Sequence, residues 1–261
     1  MPHDSTNNLT NFNGGITTVF FDMGNTLAGL NPSWQGIYHQ VFQRAGLDLP
    51  IGEVEEAVSY SWGIVSTQDA TAEYITTLEG NRAWQREIEE RVMERLNIHP
   101  AVREELFWEI IKAFENPDSY ALYHDTVPTL EKLQKSGYKL AIISNWSWHL
   151  PELCNAMGLT PFFSQIFTSA RVGYPKPNPK IFEYALQTLE IRPDEALHVG
   201  DSLSADVGGA TELGINALWL VRPEEQPLYD EASLNLKLGK PVRRISTLLE
   251  TVEFLEDVNS R

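Results

Sequence analysis

Four short segments of the sequence carry side chains that could do chemistry. In three of them, residues 17–22, 140–145 and 197–201, polar residues end a run of apolar residues. Such runs are typical of buried strands, and α/β folds place their ligands at the carboxyl edge of the sheet. The fourth segment, residues 176–182, places Lys176 in a proline-rich loop before a helical pattern. Together they predict one site that contains carboxylates, a hydroxyl, an amide and an ammonium group.

Asp22 is the candidate nucleophile of this site. A carboxylate can attack phosphorus and form an aspartyl-phosphate, which splits hydrolysis into two easier steps. A phosphoryl group would be negative, as Asp22 is, so a cation would have to lie between them. Asp22 and Asp201 could hold Mg²⁺ jointly, because this cation prefers oxygen ligands. Lys176 would neutralise phosphoryl oxygens and nearby carboxylates, while Ser144 and Asn145 could donate hydrogen bonds to the phosphoryl oxygens.

Four further residues have both a functional and a structural interpretation. Asp206 could be another metal ligand or a residue that begins a helix. Thr26 is expected to fix the turn after the nucleophile and so to contribute to the substrate site. Trp146 and His149 follow the second strand, and the sequence leaves two roles open for them. They could line a leaving-group pocket and supply a proton, or they could pack beneath neighbouring helices.

In order and spacing, the four segments resemble the four motifs of the haloacid dehalogenase-like (HAD) hydrolase superfamily. The resemblance extends from residue 17 to about residue 220. It implies a phosphatase with a helical cap of the C1 type, a small phosphorylated metabolite as substrate, and Mg²⁺ as cofactor. It also implies that the backbone carbonyl of residue 24 is a metal ligand, which Gly24 still supplies.

Position 24 departs from the superfamily motif. Phosphatases of this superfamily usually have a second Asp there as general acid and base, whereas Gly24 has no side chain to transfer a proton. We therefore expect Mg²⁺-dependent hydrolysis with weak acid–base assistance. Two alternatives remain open: a phosphoryl-binding or regulatory protein with impaired catalysis, and a 2-haloacid dehalogenase. The metal-binding pattern at Gly200 and Asp201 argues against the dehalogenase, and the intact Asp22 and Lys176 argue against the impaired protein.

The charge of the chain limits its partners. The formal net charge is -16, so nucleic acid would be repelled and is not an expected partner. No segment approaches the length of a membrane span, and residues 1–15 are expected to be a disordered tail rather than a signal peptide. Cys154 is the only cysteine, which rules out an intrachain disulfide and fits a cytoplasmic protein. The sequence predicts no particular oligomeric state.

The apolar pattern divides the chain into two parts. Residues 31–118 favour helices, expected at 33–45, 52–62, 67–78, 83–97 and 103–114. Residues 16–30 and 119–261 alternate strands with helices, which predicts a parallel sheet covered on both faces. The predicted fold is therefore α/β, with a Rossmann-like parallel-sheet core and an inserted all-helical cap domain.

The cap is expected to move as a lid over the site and to exclude water from it. Its joints should lie near residues 28–31 and 117–122. Aromatic residues of the cap, such as Trp34 and Trp62, are expected to belong to its core, because helical aromatic spacing usually means core.

Overall fold

The computed structural model describes residues 15–68, 73–223 and 242–260, and its centre is a parallel sheet of six strands. In spatial order the strands are β5, β4, β1, β6, β7 and β8. Their bounds are Gln165–Thr168, Lys139–Ser144, Thr18–Phe21, Ala196–Gly200, Asn216–Leu220 and Arg243–Ile245. All neighbouring pairs are parallel, as the alternation of strands and helices predicted. The α/β, Rossmann-like fold is therefore confirmed.

Helices cover both faces of this sheet. They are α5 Thr126–Lys135, α6 Leu150–Ala156, α7 Ser169–Val172, α8 Pro179–Leu189, α9 Gly209–Glu212 and α10 Glu250–Asn259, with a π-helical turn at Leu203–Gly208. Successive side chains of a strand point to opposite faces. Accordingly, Val19 and Phe21 join one buried cluster, while Phe20 between them joins another with Phe182 of α8. Burial on both faces explains why β1 is apolar throughout.

A group of helices interrupts the chain between β1 and the rest of the sheet. In the described residues these are α1 Trp34–Arg44, α2 Ile51–Gln68, α3 Leu78–Arg95 and α4 Pro100–Glu115. They share a hydrophobic cluster of their own, which includes Tyr38, Val92 and Phe107. The inserted segment is helical, as predicted.

The helix predicted at residues 67–78 is wrong. Residues 67 and 68 end α2, residues 69–72 lie outside the described part, and residues 73–77 are not helical. Thr77 instead precedes α3, and its hydroxyl accepts a hydrogen bond from the N–H of Gly80. The four-residue spacing of Tyr74 and Leu78 suggested a helix, but this N-cap begins a new helix between them.

A short antiparallel ribbon joins the two ends of the helical segment. It consists of β2 (Ala28–Leu30) and β3 (Tyr120–Leu122), with Leu30 opposite Tyr120. The sequence did not predict it, because strands of three residues are too short to show a period. The ribbon lies at the two expected joints of the lid.

The expected tail at residues 1–15 lies outside the described residues, except for Gly15. Within the part of the chain that the structure describes, none of the helices is both long and apolar enough to cross a membrane.

Candidate active site

Three neighbouring strands bring polar residues to one edge of the sheet. β1 lies between β4 and β6, with Phe21 opposite residues of both. Because the three strands are parallel, the residues that end or follow them lie at the same edge. These residues are Asp22 after β1, Ser144 and Asn145 at the end of β4, and Asp201 after β6.

Lys176 lies at the centre of this group. It is 2% exposed, and its Nζ donates to Asp22 Oδ1 at 2.7 Å, to Asp206 Oδ1 at 2.5 Å and to the carbonyl of Ile143 at 2.8 Å. Burial alone would lower the pKa of Lys176, but the two carboxylates raise it above its ordinary value. Lys176 is therefore a stable positive charge beside Asp22.

Asn145 holds the loop that carries Lys176. Its Nδ2 donates to the carbonyl of Lys176 at 2.8 Å, and its Oδ1 accepts from the N–H of the same residue at 2.6 Å. Both ends of the amide thus bond to the backbone of one residue. The structure therefore gives Asn145 a positioning role, where the sequence suggested a hydrogen bond to the phosphoryl group.

Three carboxylates converge on this site. Oxygen atoms of Asp22, Asp201 and Asp206 lie within 4.8 Å of one another. Burial raises the pKa of Asp22 although Lys176 opposes it, and burial together with the charges of Asp22 and Asp206 raises the pKa of Asp201 to about 8. Among the described residues, Lys176 forms ion pairs with Asp22 and Asp206 but not with Asp201. This excess of hard, negative oxygen donors fits a Mg²⁺ ion.

Asp206 is the most deeply buried of the three. Besides Lys176 it contacts Nε2 of His198 at 2.8 Å, and its Oδ2 accepts from the N–H of Ser202 at 2.9 Å. Burial alone would raise its pKa, but Lys176 and His198 hold that pKa below its ordinary value. The sequence left open the possibility that Asp206 begins a helix. The residue that caps this helical turn is instead Ser202, whose hydroxyl accepts a hydrogen bond from the N–H of Ala205. Asp206 therefore orients Lys176.

The space beside Gly24 is filled by Trp146. The φ angle of Gly24 lies outside the left-handed region, so its backbone would accept a side chain. A Cβ at this position would approach Cζ3 of Trp146 to 3.3 Å, tighter than most such contacts. The ring of Trp146 is half-buried and packs against Tyr120, with ring centroids 5.6 Å apart. A larger residue at position 24 requires this ring to shift.

The loop after Asp22 is held by Arg222, a residue that the sequence analysis missed. Its guanidinium donates to the carbonyl of Thr26 at 2.7 Å and forms a bidentate pair with Asp125, with both N···O distances 3.2 Å. Thr26 is fully buried and does not line the cavity, so it belongs to the turn rather than to a substrate surface. A signal was present in the sequence, because Arg222 ends an apolar run just as Asp22 does.

His149 lies to one side of the site. Its Nδ1 is 2.9 Å from Glu115 Oε1, and Arg82 pairs with the same carboxylate. His149 does not line the cavity that contains Asp22. The static structure therefore does not favour it as the substitute proton donor.

A cavity of about 600 Å³ extends from the sheet edge into the helical segment. On the sheet side it is lined by Asp22, Ser144, Trp146, Lys176 and Asp201, among other residues. On the other side, Trp34 and Trp62 line it, and Trp34 is 37% exposed. The two tryptophans face the cavity as well as the helices, which corrects their assignment to the core alone.

Comparison with known proteins gives one consistent result. The family model described as haloacid dehalogenase-like hydrolase matches residues 16–214. The chain is 30% identical over 153 residues to haloacid dehalogenase-like hydrolase domain-containing protein 3 of Bos taurus, covering 59% of this chain and 60% of that protein. The chain thus spans about three fifths of the length of this relative.

A second relative matches over a longer span. The phosphoserine phosphatase of Thermus thermophilus is 29% identical over 239 residues, with 85% of this chain and 94% of the relative covered. Among solved structures, a HAD-hydrolase of Bacillus subtilis described as bound to magnesium has a TM-score of 0.72 at 20% identity. That match covers 93% of this chain and 100% of the other, and at this identity it supports the fold alone.

Proposed function

The chain belongs to the haloacid dehalogenase-like hydrolase family, and we propose that it is a Mg²⁺-dependent phosphatase that forms an aspartyl-phosphate on Asp22. The observation that carries this proposal is the position of Asp22, which follows the central strand, contacts Lys176 and lines the cavity. The likeness to a phosphoserine phosphatase supports a small phosphomonoester as substrate.

In the first step, Asp22 attacks phosphorus through the oxygen that Lys176 does not hold. Lys176 bonds to Oδ1, so Oδ2 forms the new bond while the phosphorus–oxygen bond to the leaving group breaks. The leaving oxygen keeps the electron pair of that bond and must gain a proton. Lys176 and the hydroxyl of Ser144 stabilise the negative charge that develops on the phosphoryl oxygens.

In the second step, water attacks phosphorus and breaks its bond to Asp22. Inorganic phosphate leaves, and Asp22 is restored as a carboxylate. Gly24 can neither protonate the first leaving group nor take a proton from this water, so both steps proceed without the usual carboxylate. General acid–base assistance is typically worth about 10² to 10⁴-fold in rate.

We propose Asp22, Asp201 and the backbone carbonyl of Gly24 as the ligands of Mg²⁺. When bound, the ion lets the negative phosphoryl group approach the negative carboxylates and stabilises the charge of the transition state. Asp206 keeps Lys176 beside Asp22 through its buried ion pair.

The organisation of the chain belongs to the same proposal. Residues 31–118 would form a cap domain, and residues 16–30 and 119–261 the core domain. The cap encloses the substrate between α1–α4 and the sheet edge, because residues of both parts line one cavity. We also propose that the protein acts in the cytoplasm and that its substrate is a small phosphorylated metabolite.

Hydrolysis of p-nitrophenyl phosphate with and without Mg²⁺ tests the proposal. We expect activity that EDTA abolishes and that Mg²⁺ restores. Asp22→Asn should lower kcat by several orders of magnitude without changing the fold, because an amide is a poor nucleophile. The matched control is Asp48→Asn, which changes an exposed carboxylate of the helical segment and should leave kcat unchanged.

Two results would contradict the proposal. Full activity of Asp22→Asn, or full activity in excess EDTA, would rule out the mechanism. Binding of phosphate esters without any turnover would instead support the phosphoryl-binding alternative, and release of halide from a 2-haloacid would support the dehalogenase.

A further inference from the structure

The helical side of the cavity is lined largely by aromatic rings. In the described residues these are Trp34, Trp62, Tyr74, Trp84 and Phe114. Neighbouring rings of this group contact one another. The ring centroids of Trp34 and Trp62 are 4.7 Å apart, and those of Trp62 and Trp84 are 5.7 Å apart. The centroids of Tyr74 and Trp84 are 5.3 Å apart. We call this group the aromatic wall. Aromatic rings have electron-rich faces, and this group lines the cavity that also contains Asp22.

One carboxylate lies among these rings. Glu89 of α3 is 3% exposed and lines the same cavity as Asp22. Its Oε1 accepts a hydrogen bond from the hydroxyl of Tyr38 at 3.0 Å, and that hydroxyl accepts from Nε1 of Trp62 at 3.1 Å. The hydrogen bonds from Trp62 to Tyr38 and from Tyr38 to Glu89 thus fix the orientation of the carboxylate.

The second oxygen of Glu89 has no hydrogen-bond partner among the described residues. Oε2 is buried and makes no hydrogen bond with any described residue. Within the described part of the chain, Glu89 also forms no ion pair with Lys, Arg or His, unlike its neighbours Glu87 and Glu90 on the same helix. A buried carboxylate oxygen without a partner is costly, so such an atom is a marker of a binding site.

We propose that Glu89 and the aromatic wall bind an organic ammonium group, so that the substrate is a phosphomonoester of an amino- or alkylammonium-alcohol. This inference rests on the proposed phosphatase function, because it places the phosphate at Asp22 and the ammonium group at Glu89. The substrate then has negative charge at the Lys176 end of the cavity and positive charge at the Glu89 end.

The chemistry of the wall favours a cation over a neutral group. Aromatic faces attract cations but offer no particular advantage to a neutral alkyl chain beyond burial. A cation also supplies the charge that Glu89 lacks within the described residues. Burial raises the pKa of Glu89 to about 8, and a neighbouring ammonium group would lower it again.

Matched pairs of substrates test this proposal. Phosphocholine is compared with its carbon isostere 3,3-dimethylbutyl phosphate, and phosphoethanolamine with propyl phosphate. We expect the native protein to have a kcat/KM about tenfold or more higher for at least one ammonium ester than for its neutral partner. Glu89→Gln, which keeps the shape but removes the charge, should bring that ratio close to one. The control Glu79→Gln changes an exposed carboxylate of α3 and should leave the ratio unchanged.

A binding measurement separates this proposal from the proposed function. Tryptophan fluorescence of the Asp22→Asn variant reports ligand binding directly, since Trp62 and Trp84 belong to the wall. We expect phosphocholine or phosphoethanolamine to bind more tightly than its neutral isostere, and Glu89→Gln in the same background to remove the difference. Absence of phosphatase activity in the native protein, together with a preserved ammonium preference in binding, would overturn the proposed function alone.

Equal kcat/KM values and equal affinities within both pairs would overturn the ammonium proposal and leave the phosphatase intact. Higher kcat/KM values for the neutral partners in both pairs would overturn it as well. Circular dichroism of Glu89→Gln checks that the variant is folded, and Trp84→Leu provides a second variant. It removes one face of the wall and should also reduce the ratio.

Discussion

At the scale of single residues, Gly24 and Trp146 together determine whether a side chain can transfer a proton to the leaving group of the proposed reaction. Gly24 lacks the carboxylate that would protonate the leaving group, and the ring of Trp146 fills the neighbouring space. An alkoxide leaving group without a proton donor is a poor one, whereas an aryl oxide needs little help. The rate of the first step should therefore depend strongly on the pKa of the leaving alcohol.

We predict a steep decrease in kcat from aryl to alkyl phosphates for the native protein. Gly24→Asp combined with Trp146→Phe should reduce the ratio of kcat for aryl esters to kcat for alkyl esters by about 10-fold or more, because a carboxylate then protonates the alkoxide. The smaller ring removes the 3.3 Å contact that hinders the single substitution. Trp146→Phe alone is the control and should not change the slope. Equal rates for alkyl and aryl esters, with chemistry limiting, would mean that another group donates the proton.

Glu89 gives a pH dependence of stability that can be measured without substrate. Its pKa rises from an ordinary 4.5 to about 8 on folding, because it is buried. Between these values the folded protein retains a proton that the unfolded chain has lost. The free energy of unfolding should therefore fall as pH rises through this window, by up to about 1.4 kcal/mol per pH unit.

Glu89→Gln removes this titrating group. The free energy of unfolding of the variant should therefore rise relative to that of the native protein as pH increases from 5 to 8. Urea denaturation at the two pH values gives the comparison, and Glu79→Gln is the control. A difference between variant and native protein that stays constant with pH would show that Glu89 ionises normally in the folded state.

At the scale of elements, the ends of the strands are held in place by contacts from distant parts of the chain. A side chain at Gly200 would collide with the carboxyl group of Asp206, so the end of β6 needs glycine at this point. At the end of β1, Arg222 bonds to the carbonyl of Thr26 and to Asp125. These contacts fix the loop that carries the Gly24 carbonyl.

We predict that Arg222→Lys lowers the free energy of unfolding by about 3 kcal/mol, because it breaks a buried bidentate pair. It should also lower kcat, since the loop after Asp22 loses its support. Thermal and urea denaturation measure the first effect, and phosphatase assays the second. Arg244→Lys, at an exposed position on β8, is the matched control. A folded variant with native kcat would show that the loop keeps its shape without Arg222.

At the scale of the whole molecule, the helical segment has its own hydrophobic cluster, and polar contacts join it to the sheet region. The N–H of Trp148 donates to Asn81 Oδ1 at 3.1 Å, and the Arg82–Glu115 pair contacts His149. The ribbon of β2 and β3 forms the covalent connection. Separate cores joined by a narrow ribbon favour motion of one part relative to the other.

We predict that Asn81→Ala shifts this motion toward an open state. The variant loses the acceptor for the N–H of Trp148, so amide exchange at Trp148 should become faster. KM should rise severalfold with a smaller change in kcat, because closure contributes to substrate binding. Gln43→Ala on the exposed side of α1 is the control. Unchanged exchange and unchanged KM would indicate a rigid helical segment.

The sheet, the helical insertion and the four segments at the candidate active site could all be predicted from the sequence alone. These are local signals: apolar runs of strand length, helical spacing and turn residues at strand ends. A parallel sheet then brings Asp22, Ser144 and Asp201 together without further information, because it aligns the ends of its strands.

The contacts of individual side chains depend on the three-dimensional fold. Asn145 binds the backbone of Lys176, Trp146 occupies the space beside Gly24, and Arg222 supports a loop almost two hundred positions earlier in the chain. The same holds for Glu89, which in the sequence is one acidic residue among many on α3. Its burial among aromatic rings depends on how α3 packs against its neighbours. Such contacts join residues distant in sequence, and no local pattern encodes them.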